Sequence, residues 1–406
     1  MSSGYVTTEK LYDKDAYATK FEATILKVEP AKTGFCLIFD KTLFFPEEGG
    51  QNCDTGNIIC AGQGFIVSYV GIEKREGVEV ICHYVNSEMS ATDSNEILSA
   101  LCEGVEIQGE IDWKARYDKM QNHSGEHILS GIIHTEFGFD NVGFHLNDEL
   151  FTMDCNGVLT KEQLDFLERK ANEVIMENVS IYGKYVSDDE LARLEYRSKK
   201  EIEGAIRIVS IEGYDKCACC APHVKSSIEV GVIKIVKSEN WKGGMRLTVL
   251  CGNRAYKDYA KKHEILQNLS RKFSTSDEKI AEVVENLKNN LGDLEFKLAT
   301  LECQMTTEKL LQNSIQFFDA ISPKALTKAL DNAMNQKPAE LFMMFVGNNE
   351  SGYRYVMGSL ERNVEEIGKI LHEKLGAKGG GRGTMIQGMV LSTKEEIEKV
   401  IISSIS

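Results

Sequence analysis

No stretch of this chain approaches the roughly 18 consecutive apolar residues of a membrane span. The longest apolar run is LFMMFV, at 341–346. The amino-terminal MSSGYVTTEKLYDKDAYATK lacks the basic-then-apolar form of a secretory signal, so a cytosolic protein is expected. An excess of basic residues is also lacking. Lys and Arg number 47 against 62 Asp and Glu, a net charge of −15. That balance argues against a protein that coats nucleic acid, but allows one that holds a single nucleic acid through a local basic surface. In a cytosolic chain the 11 cysteines are expected as free thiols or metal ligands rather than disulfides. What remains is ordinary globular composition, 42% hydrophobic and 27% charged, in 406 residues, enough for about two to four domains.

Residues 1–110 carry short β-branched and aromatic runs (FEATILKV, GFCLIFD, GFIVSYVGI, VEVICHYV) interrupted by glycine and charge, which predicts a small barrel-like β domain. Residues 111–254 mix helix and strand without a βαβ rhythm, an α+β pattern. Within them, Thr160 precedes Gln163 by three, a capping-box spacing, and Leu164, Leu167, Ala171, Val174 and Ile175 follow with helical period. Over 255–313, Ile280, Val284, Leu287, Leu291, Leu294, Leu298, Leu301 and Met305 alternate gaps of four and three. This heptad predicts one arm of a helical hairpin, or else a coiled coil joining two copies of the chain. Residues 314–406 read as a compact α/β tail of helices and strands around AKGGGRGTMIQG.

HSGEH at 123–127 places two histidines at i and i+4, on one face of a helix. KCACCAPHV downstream adds Cys217, Cys219, Cys220 and His223 within seven residues. His123, His127, Cys219 and His223 together make a nitrogen and sulfur donor set suited to one zinc ion. Cys219 is preferred to its neighbours because its spacing to His223 repeats that of the first pair. Cys217 and Cys220 are then buried or supporting thiols. The first pair also spells H-x-x-E-H, in which Glu126 would be the base of an inverzincin-type peptidase. A solvated helix position is the plainer reading of Glu126.

DKTLFFPEEGGQNCDTG at 40–56 bears on that choice. It resembles the opening of the alanyl-tRNA editing domain, D-x-T-x-F-Y-P-x-x-G-G-Q-x-x-D-x-G, a family with H-x-x-x-H followed far downstream by C-x-x-x-H. With the hairpin and the Gly-rich tail, the chain resembles the free-standing long form of that family over nearly its whole length. The resemblance implies a zinc-binding deacylase over 111–254 that hydrolyses mischarged tRNA rather than making it, since 406 residues leave no room for an aminoacylation domain as well. The substrate implied is tRNA(Ala) carrying serine or glycine. Two positions depart from the family. Cys219-Cys220-Ala221-Pro222-His223 stands where C-G-G-T-H is usual, and Glu48 where a glycine often precedes Gly-Gly-Gln. A rival remains in a non-catalytic tRNA-binding or dimerising protein with structural zinc.

For the hydrolysis implied, Gln51 is the candidate to hold water or the ester carbonyl, with Gly49 and Gly50 permitting close backbone approach. The resemblance makes Thr42 the residue that rewards a serine hydroxyl, by donating to it and accepting from it. Arg116, with Lys119, is placed to meet acceptor-end phosphates, and His145 to edge the pocket. The sequence pattern gives His83, His134, His263 and His372 no role, and they are expected as ordinary residues. Lys378, Gly380 and Arg382, in a glycine-rich patch, are expected to dock phosphate by charge and exposed N–H groups, and the resemblance gives that tail the body of the tRNA.

Overall fold

The computed structural model describes residues 4–87, 101–198 and 205–405. The chain forms two compact units, 1–265 and 266–406, each mixing helices with several sheets.

The first unit opens with six strands: β1 (Lys20–Pro30), β2 (Phe35–Phe39), β3 (Gly56–Cys60), β4 (Gln63–Arg75), β5 (Val78–Ser87) and β6 (Glu106–Ile111). They close into a barrel in the order β1-β2-β5-β4-β3-β6. Alternation along β6, with Ile107 and Ile111 buried and Glu106 and Glu110 exposed, sends one face inward. Phe39, Phe44, Phe45, Phe65 and Ile25 fill that interior.

Asp112 then caps a 20-residue helix, α1 (Trp113–Ile132), by accepting from the Ala115 N–H. Behind it come β7 (Asn141–Leu146), β8 (Phe151–Cys155), α2 (Lys161–Met176), β9 (Ile181–Tyr185), β10 (Arg207–Ile211), β11 (Asp215–Ala218), β12 (Ile233–Trp241) and β13 (Gly244–Cys251). The sheets run β12-β13-β8-β7 and β9-β10-β11. α2 begins at the Thr160–Gln163 capping box and buries Leu164, Leu167, Ala171, Val174 and Ile175. These side chains share one core with Ile128, Leu129 and Ile132 of α1.

The polar half of α1 is also buried. Arg116, Lys119, His123 and His127 lie 0–2% exposed, at spacings of three and four that set them in one stripe. The stripe grips the 42–56 loop. Arg116 pairs with Asp54 (Nε to Oδ2, 2.9 Å) and donates to the Leu43 carbonyl at 2.6 Å. Lys119 Nζ donates to the Cys53 carbonyl, and His123 meets Gln51. Arg116 and Lys119 are therefore not free for phosphate, contrary to the sequence expectation. A cation that finds a buried carboxylate or carbonyl inside the fold leaves the surface.

In the second unit, α3 (Gly252–Phe273) has led into the chain that forms α4 (Ile280–Gln312). Of the heptad only Ile280 is buried, at 8%; Leu291, Leu294, Leu298 and Met305 are 59–61% exposed. The heptad face is thus not covered as the arm of a hairpin would be. Beyond it stand β14 (Ile315–Phe318), α5 (Pro323–Gln336), β15 (Phe342–Asn348), β16 (Gly352–Gly358), α6 (Val364–Leu375), β17 (Lys378–Arg382), β18 (Met385–Val390) and α7 (Lys394–Ile405). The sheet order is β14-β15-β16-β18-β17. The glycine-rich stretch is therefore an edge strand, not a loop: Gly379 and Gly381 pair with Gly388 and Ile386. A Cβ on Gly379 would stand 2.3 Å from the Gln387 carbonyl oxygen.

Removing one member of the buried Arg116–Asp54 pair leaves the other uncompensated. Asp54→Ala is expected to cost about 3–5 kcal/mol in a urea titration, and the double change Asp54→Leu with Arg116→Met distinctly less than the sum of the two singles.

Candidate metal centre

α1 delivers His123 and His127 one turn apart. The chain after β11 delivers Cys219 and His223. The four ligand atoms lie within 4.8 Å of one another. Cys219 Sγ is 3.6 Å from His123 Nε2 and 3.4 Å from His223 Nε2. A sulfur and a nitrogen sharing a tetrahedral zinc-like ion stand about 3.6 Å apart, given bonds of about 2.3 and 2.0–2.1 Å. The donor set therefore fits a four-coordinate transition-metal ion of borderline softness.

Each imidazole is aimed by its other nitrogen. His123 Nδ1 lies 2.7 Å from Gln51 Oε1, His127 Nδ1 3.0 Å from Asp215 Oδ2, and His223 Nδ1 2.9 Å from Ser124 Oγ. Asp215 is itself held by Arg197, Nε to Oδ1 at 2.8 Å and Nη2 to Oδ2 at 2.9 Å. Partners of this kind fix the ring tautomer, with Nδ1 carrying the proton and Nε2 left to coordinate. The electrostatics of Cys219 and His223 agree. Burial raises the Cys219 pKa, but the facing His123 and hydrogen bonds from His123, His127 and His223 outweigh it and hold the thiol well below its ordinary value. Burial drags His223 down to about 3, favouring the neutral ligand form. Burial also opposes charge on His127, yet the hydrogen bonds to Asp215 and Cys219 prevail and its pKa is raised.

The GGQ turn forms one wall. Glu48 and Gln51 exchange both backbone hydrogen bonds, at 3.2 and 3.0 Å, across Gly49 and Gly50. Both glycines have positive φ, +62° and +85°. Any Cβ on Gly50 would lie 2.3 Å from the Phe144 carbonyl oxygen, so close packing there requires glycine. Gln51 joins β7 through a bridge to Leu146. Phe144 lays its ring 4.6 Å from that of His123, while His145, the neighbour expected at the pocket edge, is exposed and points from the other face of β7. Gln51 is fully buried, and its Nε2 has no partner.

Other expected positions fall elsewhere. Thr42 is fully buried, with Oγ1 2.9 Å from His83 Nε2 and 3.1 Å from the Phe44 N–H. His83 Nδ1 donates to the Leu37 carbonyl at 3.1 Å, so its Nε2 accepts the Thr42 proton. Burial holds this ring neutral, lowering its pKa to about 3. Thr42 therefore has no proton left for a ligand, which corrects the expectation that it both donates and accepts. Glu126 is not solvated but fully buried, accepting from Asn141 Nδ2 and Ser130 Oγ, with Oε2 3.9 Å from His127 Nε2. Lys378, Gly380 and Arg382 lie in β17, in the other compact unit. Asp215, Ser124, Phe144 and Arg197 carry no sequence signal of their own. Only the place of Ser124 inside HSGEH and of Asp215 just before KCACC hints at them.

The first compact unit thus sets a His3Cys cradle beside a Gly-Gly-Gln turn. Residues 206–247 match the threonyl and alanyl tRNA synthetase second additional domain. Along its length the chain is similar to the free-standing alanyl-tRNA editing proteins. It is 27% identical to the alanyl-tRNA editing protein Aarsd1 of Danio rerio, covering 96% of each chain. It is 26% identical to the alanyl-tRNA editing protein AlaX-L of Pyrococcus horikoshii, covering 98% of each. Against the alanine–tRNA ligase of Pyrococcus abyssi, 28% identity runs over 97% of this chain but 43% of that protein.

Asp215→Asn is expected to weaken metal affinity about 10- to 100-fold, measured by chelator competition, because His127 loses the group that aims it.

Proposed function

We propose that this protein deacylates mischarged tRNA(Ala), Ser-tRNA(Ala) foremost and Gly-tRNA(Ala) second, by ester hydrolysis beside a zinc ion held by His123, His127, Cys219 and His223. The observation that carries this reading is the junction of that donor set with Gln51, whose one amide end is committed to His123 and whose other end is buried and unpartnered. The names of the relatives that match over the full length supply the substrate class. Zinc, when bound, supplies Lewis acidity toward a carbonyl or a water.

The side chains divide the remaining work. His123 Nδ1–H takes the Gln51 oxygen, so the Gln51 –NH2 faces the other way, where it donates to the ester carbonyl oxygen as negative charge gathers there. Gly49 and Gly50 let the terminal ribose approach the backbone, and Phe144 excludes water from one side. These residues position ester and water beside the four side chains that would hold the ion. Thr42 retains one lone pair, which fits a role as acceptor from a serine hydroxyl. Neither the donor set nor the relatives favour the peptidase reading. The tail unit, with Lys378 and Arg382 on an edge strand, supplies the tRNA-holding surface. The uncovered heptad of α4 supports a homodimer through that face.

Incubation with Ser-, Gly- and Ala-tRNA(Ala) is expected to release serine fastest and alanine at background, with chelator or Cys219→Ala stopping release. Binding of tRNA with no serine released would establish the non-catalytic rival instead. Gln51→Leu is expected to lower kcat about 100-fold, the scale of one lost oxyanion donor. Thr42→Val is expected to slow serine release but not glycine release, by about 1–3 kcal/mol. Equal slowing of both would make Thr42 a packing residue. Leu291→Glu with Leu294→Glu is expected to shift sedimentation from dimer to monomer.

A further inference from the structure

Among the described residues, few buried side-chain polar atoms lack a partner, and two of them flank the same glycine pair: Glu48 Oε2 and Gln51 Nε2. Native proteins seldom leave such atoms unpaired, so each calls for a ligand. Glu48 and Gln51 are directly opposite in the turn, exchanging both backbone hydrogen bonds. Residues so paired stand about 5.5 Å apart at Cα and project to the same face. One offers an anionic acceptor and the other an amide donor.

The Cys219-Cys220 dipeptide ties this pair to the metal cradle. Cys219 Sγ lies in the cradle. Cys220, next in the chain, has its Sγ 3.5 Å from where a Gly49 Cβ would be. Glu48 and Cys220 both fall where the sequence leaves the editing-family pattern, the second departure also including Ala221 and Pro222. The cysteine turn thus packs against the glycine next to Glu48, whose Oε2 has no partner.

We propose that Glu48 receives the α-ammonium of the aminoacyl ester while Gln51 faces its carbonyl. In an aminoacyl ester both groups are borne by the same carbon, so a cation and an acceptor arrive side by side, matching an anion and a donor set side by side. The α-amino group, with a pKa of about 7.7–8.0 in model peptides, is largely cationic at neutral pH. A carboxylate grips it through a charge-assisted hydrogen bond. Glu48 thus reads what every aminoacyl ester shares and every peptidyl or N-acylated ester lacks. It restricts the site to free aminoacyl-tRNA, whatever the side chain. This rests on the deacylase reading above.

The test compares Ser-tRNA(Ala) with N-acetyl-Ser-tRNA(Ala), each enzymic rate divided by the spontaneous hydrolysis rate of the same ester. Wild type is expected to favour the free amine by about 10- to 100-fold, the scale of a hydrogen bond to a charged group. Glu48→Gln, which keeps the shape and loses the charge, is expected to erase most of that preference while retaining the metal content of wild type. Equal normalised rates on the two esters in wild type overturn the inference without recourse to any variant. So does a preference that survives Glu48→Gln. Failure of wild type to release serine from either ester defeats the deacylase reading itself, and the ammonium site with it.

Discussion

One stripe of a single helix ties the first compact unit together. Arg116, Lys119, His123 and His127 succeed one another along α1, and the first three each grip a different point of the loop that runs from Thr42 to Gly56. The Arg116–Asp54 pair lies at the base, wholly out of water. Its strength is conditional: two such charges are tolerated only because each satisfies the other and the Phe45 N–H and Leu43 carbonyl take up further bonding capacity. Everything nearer the metal cradle inherits its position from that anchor. The Gly-Gly-Gln turn cannot drift along the helix without breaking it.

Above the anchor the chemistry of the site comes from pairing every ring with a second partner. Three imidazoles converge within a few ångströms, and unguided they would offer either nitrogen. Gln51, Asp215 and Ser124 each occupy one Nδ1, so all three rings present Nε2 toward Cys219. Buried polar groups of this number are costly unless connected. Here the three rings and their partners are connected, with Gln51 Nε2 left over.

The sequence discloses parts of this unevenly. The four donors are legible because i, i+4 spacing on a helix and C-x-x-x-H on a turn are local geometries. The capping box at Thr160 and Gln163 is legible for the same reason. Asp215 is 88 residues from the His127 it aims, and no local pattern announces such a pairing. Arg116 reads as a surface cation until Asp54, 62 residues away, is seen to cover it. β17 does not announce itself as a strand because glycine is depleted in strands, yet at Gly379 and Gly381 the neighbouring carbonyls leave no room for a side chain. The strands Gly56–Cys60 and Asn141–Leu146 are too short or too mixed to stand out.

The contact between His123 and Gln51 has a bearing on how the site responds to loading. An imidazole whose Nε2 is taken by an ion has a single tautomer open to it, and Gln51 must then turn its oxygen inward. An imidazole released from an ion has two, and the amide is free to rotate by half a turn, exchanging donor for acceptor at the face it shows to a ligand. Ion occupancy is in this way written into the polarity of a neutral side chain. The same glutamine reads as oxyanion partner in one state and as its opposite in the other.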